Sequence, residues 1–180
     1  MQLAEVFQAV ASGLLFLVLA VSATTDLLRR KIYNVVTYPA ICLGLALGFG
    51  AGGLGDSLWG HTLLGHLAGF LLGFMLLFVA YWSRAVGGGE VKLAAAIGAV
   101  YGFPFIIPAL FWSSLAGFVM AIWVLIWRAK LLTGLKRSVR YAVSLKGELP
   151  EPDDPAAIKL PYGVAMAFGT FFAWFLQEVA

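Results

Sequence analysis

Long apolar runs broken by short polar clusters set the pattern of this chain. Segments at about 4–25, 34–51, 58–82, 91–103, 105–127 and 161–179 are almost wholly apolar, and polar residues collect between them. A helix needs about 20 apolar residues to cross the hydrocarbon core of a bilayer. The pattern therefore predicts an all-α polytopic membrane protein, a bundle of six transmembrane helices. The fourth segment is short for a full crossing, and Gly102-Phe103-Pro104 separates it from the fifth. These two are expected to form an antiparallel hairpin with a tight outer turn. Residues 1–180 read as a single membrane-embedded domain.

Composition agrees with this. The chain is 62% hydrophobic and 12% charged, with a mean hydropathy of +0.93, where soluble domains are about half apolar and about a quarter charged. The first apolar segment follows Met-Gln-Leu-Ala-Glu, with no basic lead and no clear A-x-A site, so it reads as a retained span. Cys42 is the one cysteine, which excludes an intrachain disulfide.

Charge placement sets the expected orientation. With six spans, every Lys and Arg falls on one side, in or beside the loops 26–33, 83–90 and 128–160. The other side carries only Glu5, Asp56 and Glu178. Cytoplasmic loops collect Lys and Arg, so these loops are expected in the cytoplasm and both termini outside. The net charge of +3 is thus a matter of topology and does not point to nucleic acid; the lipid bilayer is the expected surrounding. Glycines recur at helical spacing (Gly65, Gly69 and Gly73; Gly44 and Gly48; Gly98 and Gly102), which in lipid marks close helix packing. His61 and His66 are not at an i, i+4 ligand spacing and are expected to hydrogen-bond at the membrane interface.

Of the nine acidic residues, three are on the outer side and four lie in Glu148–Asp154, leaving Asp26 and Glu90. Asp26 closes the first span in "SATTDLLRRKIYN", and Glu90 opens the fourth in "VGGGEVKL". Ionisable residues at such depth usually face the bundle interior and carry function. A plainer account pairs Asp26 with Arg29 or Arg30 and makes Glu90 a helix start favoured by the dipole. The run Gly87, Gly88, Gly89 tilts the balance towards a site, because such a run admits close backbone approach or turns closed to other residues.

"GGGEVKLAAAIGAVYG" resembles the G-x-G-D-x-K-L-x-A-A-x-G-A segment of the type IV prepilin peptidases, which are GxGD-type membrane aspartic proteases. "TDLLRRKIYNVVTYP" resembles the family's other aspartate segment, and "PYGVAMAFG" is similar to the start of its last span. The short length resembles the small peptidase-only branch associated with tight-adherence (Flp-type) pili. The resemblance puts catalytic carboxylates at Asp26 and Glu90, an active-site loop at Gly87, Gly88 and Gly89, and the motif lysine at Lys92. Two departures stand out: Tyr33 replaces the usual Pro, and Glu90 replaces the usual Asp.

The activity implied is removal of leader peptides from prepilins that carry a short basic leader and a hydrophobic N-terminal helix. The implied location is the bacterial cytoplasmic (inner) membrane, with the site facing the cytoplasm. The implied chemistry uses no cofactor and no metal: two carboxyls share a proton, one taking a proton from water and the other hydrogen-bonding the scissile carbonyl. Helix polarity would make Glu90 the ionised base and Asp26 the neutral acid. The loop 128–160 could dock the basic leader through Glu148, Glu151, Asp153 and Asp154, or simply be solvated. Three rivals stay open: an impaired relative that binds prepilins without cutting them, a protease with other membrane substrates, and a proton-coupled carrier using Asp26 and Glu90 as relay groups.

Overall fold

The computed structural model describes residues 3–55, 61–83, 86–127 and 160–179. The expected loop 128–160, apart from Leu160, and the charges Asp56 and Arg84 lie outside the described residues. Six helices stand among those described: α1 (Leu3–Arg29), α2 (Asn34–Gly52), α3 (Leu63–Trp82), α4 (Gly88–Tyr101), α5 (Ile106–Trp127) and α6 (Tyr162–Val179). Four of them, α1, α2, α3 and α5, are long and apolar enough to cross a membrane. The 14-residue α4 rises only about 21 Å, at about 1.5 Å per residue, against a hydrocarbon core of about 30 Å. α6 carries Gln177 and Glu178 in its last turn and also falls outside that set.

The short helix is the core. Val91 and every residue from Leu93 to Tyr101 are buried, so α4 is enclosed on all sides. Its small residues make that possible. α3 crosses it with Gly69 against the Gly98 backbone, and a methyl on Gly73 would sit 2.5 Å from the Ala94 carbonyl oxygen. The glycine stripes thus bring two backbones into contact, as the spacing predicts. Around this centre, α1, α3 and α5 leave large apolar side chains such as Leu17, Val79, Phe118 and Trp123 on the outside, the arrangement a hydrocarbon surrounding requires.

The expected hairpin of the fourth and fifth segments is corrected. α4 packs on α3 and α2 and only lightly on α5, whose main neighbour is α6. Gly102, at φ 80°, ends α4 by turning its N–H back to the Gly98 carbonyl, and Phe103 then bonds to the Gly65 carbonyl on α3. The turn is tied to α3, so the chain leaves α4 splayed.

α1 and α6 run antiparallel, tied at one end by Gln8 Nε2 donating to Glu178 Oε1 at 3.3 Å and at the other by Gly163 N–H donating to Asp26 Oδ2 at 2.7 Å. The latter end also carries Arg29, Arg30, Lys31 and Lys92, the four Lys and Arg residues among those described. His66 departs from the interfacial placement. It is buried where α3 meets α4, with Nδ1 2.8 Å from the Ala99 carbonyl oxygen, and its ring lies 5.7 Å from that of His61.

Candidate active site

α1 continues past the expected limit of the first span, so Asp26 stands inside its last turns. Arg30 then takes a left-handed conformation at φ 52°, its N–H still bonded to the Asp26 carbonyl at 2.9 Å, and the helix stops. Asp26 is only 6% exposed. Arg30 acts on its carboxyl by charge, while hydrogen bonds reach it from another helix. Arg29 Nη1 donates instead to the Tyr33 hydroxyl at 3.3 Å. Asp26 points into the N-terminus of α6, accepting from the Gly163 N–H at 2.7 Å and also facing the Val164 N–H. The first N–H groups of a helix have no partner within it, and here a buried carboxyl meets them.

That contact demands glycine. A methyl on Gly163 would lie 2.8 Å from Asp26 Oδ2 and 3.1 Å from its Cβ and Cγ. From the sequence, Pro161-Tyr162-Gly163 reads as the start of the last span, with no part in the site. The signal was a proline directly ahead of an apolar run followed by a glycine where a helix start does not need one.

Glu90 occupies the third position of α4. Its Oε2 accepts from the Gly87 N–H at 2.6 Å, half of the reciprocal capping box; glycine has no side chain to supply the other half. The half-buried carboxyl has its pKa raised to about 7, mainly by burial and further by the nearby Asp26 charge, against the Gly87 N–H, which lowers it. The two carboxyls therefore share one end of the bundle within electrostatic reach, yet each is held by a backbone N–H. Loss of hydration at position 90 opposes the helix dipole there, and Asp26 faces the positive end of α6 as well as the negative end of α1.

The glycine run also differs from expectation. Gly88 and Gly89 are the first residues of α4, not loop, and Gly87 is extended at φ −86° and ψ 156°. None of the three has a positive φ. Close approach is real only at Gly89, where a methyl would come 3.1 Å from Ile32 Cβ in the α1–α2 connection. Lys92 turns from Glu90, since residues two apart face different ways on a helix. Its Nζ donates to Asn34 Oδ1 at 2.9 Å and sits 5.3 Å from the centre of the Tyr38 ring. Lys92 thus locks α4 to α2.

An apolar groove of about 560 Å³ between α5 and α6 begins at Val164 and Ala165, beside the Asp26 contact, and runs on past Phe168 and Trp123. Among the described residues no group of three or more His, Cys, Asp or Glu is placed to hold a metal ion.

A family model described as the type IV leader peptidase family matches residues 13–122. No curated protein and no solved structure matches the chain. The matched stretch covers more than half of the 180 residues and contains Asp26, the glycine run, Glu90 and Lys92. The chain belongs to the type IV leader peptidase family.

Proposed function

We propose that the protein is a membrane aspartic endopeptidase that removes the leaders of type IV prepilins, of the Flp type, with Asp26 and Glu90 as the working pair. The observation that carries this is the family match, which spans both carboxyls. Glu90, with its pKa raised to about 7, holds a proton near neutrality and serves as the acid. Asp26 takes a proton from water as the water oxygen bonds to the scissile carbonyl carbon. Glu90 gives its proton to the carbonyl oxygen, forming a tetrahedral diol. Collapse of the diol breaks the C–N bond: one diol hydroxyl returns its proton to Glu90 as the carbonyl re-forms, and the leaving amine takes up the proton from Asp26. This exchanges the roles that helix polarity alone suggests.

A six-span topology accompanies this reading, with the basic end in the cytoplasm, both termini outside and the inner membrane as location. Positively charged loops stay in the cytoplasm, and Arg29, Arg30 and Lys31 flank the pair. The apolar groove beginning at Val164 suits a substrate whose scissile bond directly precedes a hydrophobic helix. The test is cleavage of a Flp-type prepilin in vesicles. The wild-type chain should release the leader and Asp26→Asn should not.

One observation favours a second reading. The Glu90 carboxyl is already spent on the Gly87 N–H at 2.6 Å, as a glutamate kept only for capping would be. In that case the chain binds prepilins without cutting them: a prepilin co-purifies intact with the wild-type protein and no leader is released.

A further inference from the structure

We infer that Gly163 is a positioning residue: the N-terminus of α6 holds the Asp26 carboxyl in its working place, and only glycine at 163 lets the two meet. This rests on the proposed role of Asp26 and adds a part of the site that no sequence motif assigned. Asp26 sits in the final turns of α1, which ends three residues later at Arg29. Helix ends fray, and a carboxyl there would wander without a second anchor. The anchor is the Gly163 N–H at 2.7 Å, in a helix 137 residues further along the chain. Catalytic geometry is sensitive at about the 1 Å level. A methyl at 163, 2.8 Å from Oδ2 and 3.1 Å from Cγ, could be admitted only by moving the carboxyl or α6 by a comparable amount.

Gly169, two turns along the same helix, provides the contrast. A methyl there would strike the Ser113 backbone on α5, far from either carboxyl. It is a packing glycine alone. The experiment compares Gly163→Ala, Gly169→Ala, Asp26→Ala and the double variant Asp26→Ala/Gly163→Ala, each full-length in vesicles, for prepilin cleavage, membrane level and thermal midpoint. Gly163→Ala should lower kcat about 100-fold with KM within about threefold, the loss a displacement near 1 Å brings. Gly169→Ala should lower the thermal midpoint while the folded fraction keeps its kcat. Asp26→Ala should not cleave; if it does, the reading of Asp26 itself fails. If Asp26→Ala is inactive while Gly163→Ala has the wild-type kcat, or loses activity only in step with folded protein as Gly169→Ala does, the inference alone is overturned. Should Gly163→Ala not accumulate in the membrane, the double variant decides. It should accumulate close to Asp26→Ala, because the Oδ2 and Cγ that the methyl would strike are gone and only the 3.1 Å contact with Cβ remains. Equal loss in both backgrounds would make Gly163 a packing residue.

Discussion

Asp26 and Glu90 are both held by the N-terminus of a helix, but not by the same kind of contact. Glu90 reaches back three residues to the start of its own helix, at Gly87. Asp26 reaches across the bundle to the start of α6, at Gly163. The first contact forms whenever α4 forms. The second exists only when α1 and α6 are docked. A carboxyl placed by tertiary contact is fixed relative to the fold, whereas one that caps its own helix can be freed at the cost of one local cap, with the helix packing left in place. The pair thus joins a rigid member to a releasable one, which suits a shared proton whose position must adjust as substrate enters.

The largest expected effect lies at the rigid member. Asp26→Asn keeps an oxygen for the Gly163 N–H, so α6 should stay docked while the acid–base chemistry is lost. Prepilin cleavage should fall at least about 1000-fold, within the usual worth of general acid–base catalysis, with little change in thermal midpoint. Asp26→Ala should also destabilise, by about 1–3 kcal/mol, because it leaves buried N–H groups without an acceptor. If Asn and Ala destabilise equally, the tertiary cap contributes nothing. Glu90→Gln should be as inactive as Asp26→Asn, since its amide still accepts from Gly87 but carries no acid proton.

The releasable member offers the next test. Glu90→Asp shortens the side chain by one methylene and restores the family's usual residue. The shorter carboxyl cannot keep both the 2.6 Å bond to Gly87 and its present depth. α4 should lose about 0.5–2 kcal/mol, the usual worth of an N-terminal cap, and cleavage should rise about tenfold as the carboxyl turns to Asp26. A fall in cleavage would show that the backbone has adjusted to glutamate as its working residue.

The same contrast separates what was legible in the sequence from what was not. The helical class, the six helices among the described residues and the bounds of α2 and α5 follow from apolar runs, because each run reports on its own helix. Close packing at Gly69 and Gly98 was legible from their stripes as well, but not that α3 and α4 are the helices it joins. Glu90 as a helix-start carboxylate was legible too, as capping is local. The partner of Asp26 was not, because nothing near position 26 encodes a helix that begins at 162. The enclosure of α4 was half legible: its segment is short for a full crossing, but nothing within it says which helices surround it. The burial that raises the Glu90 pKa comes from neighbouring helices, so the dipole argument, which saw only α4, pointed the other way.

pH sharpens the comparison at intermediate size. The pKa of Glu90 is raised from its ordinary 4.5 to about 7, so the folded state holds the proton more tightly than the unfolded state. The stability this gives is full below about pH 4.5 and is lost as pH rises through about 7. The thermal midpoint should therefore decline between pH 5 and 8, and Glu90→Gln should flatten that decline. Cleavage by the wild-type chain should fall as pH passes 7, since the proposed acid is then deprotonated. A rate that instead climbs through pH 7 would return Glu90 to the role of base.

The smallest effects distinguish the glycines that precede Glu90. Gly88 and Gly89 are adjacent in the first turn of α4, and neither has a backbone conformation that excludes alanine. A methyl at 88 would make an ordinary 3.6 Å contact with the Tyr81 ring, while one at 89 would press on Ile32 Cβ at 3.1 Å. Gly88→Ala should therefore stabilise the protein by about 0.4–1 kcal/mol through the unfolded chain. Gly89→Ala should lose that gain and lower cleavage a few-fold, because Ile32 belongs to the turn that follows Asp26 and must give way. The pair is read by thermal midpoint and kcat in parallel. If the two alanines behave alike, close approach at Gly89 is not what the run is for, and the distance between the α1 end and the α4 start is set by other contacts, such as that of Lys92 with Asn34. If only Gly89→Ala loses activity, the run has one indispensable member, and its purpose is to let the releasable carboxyl stand next to the rigid one.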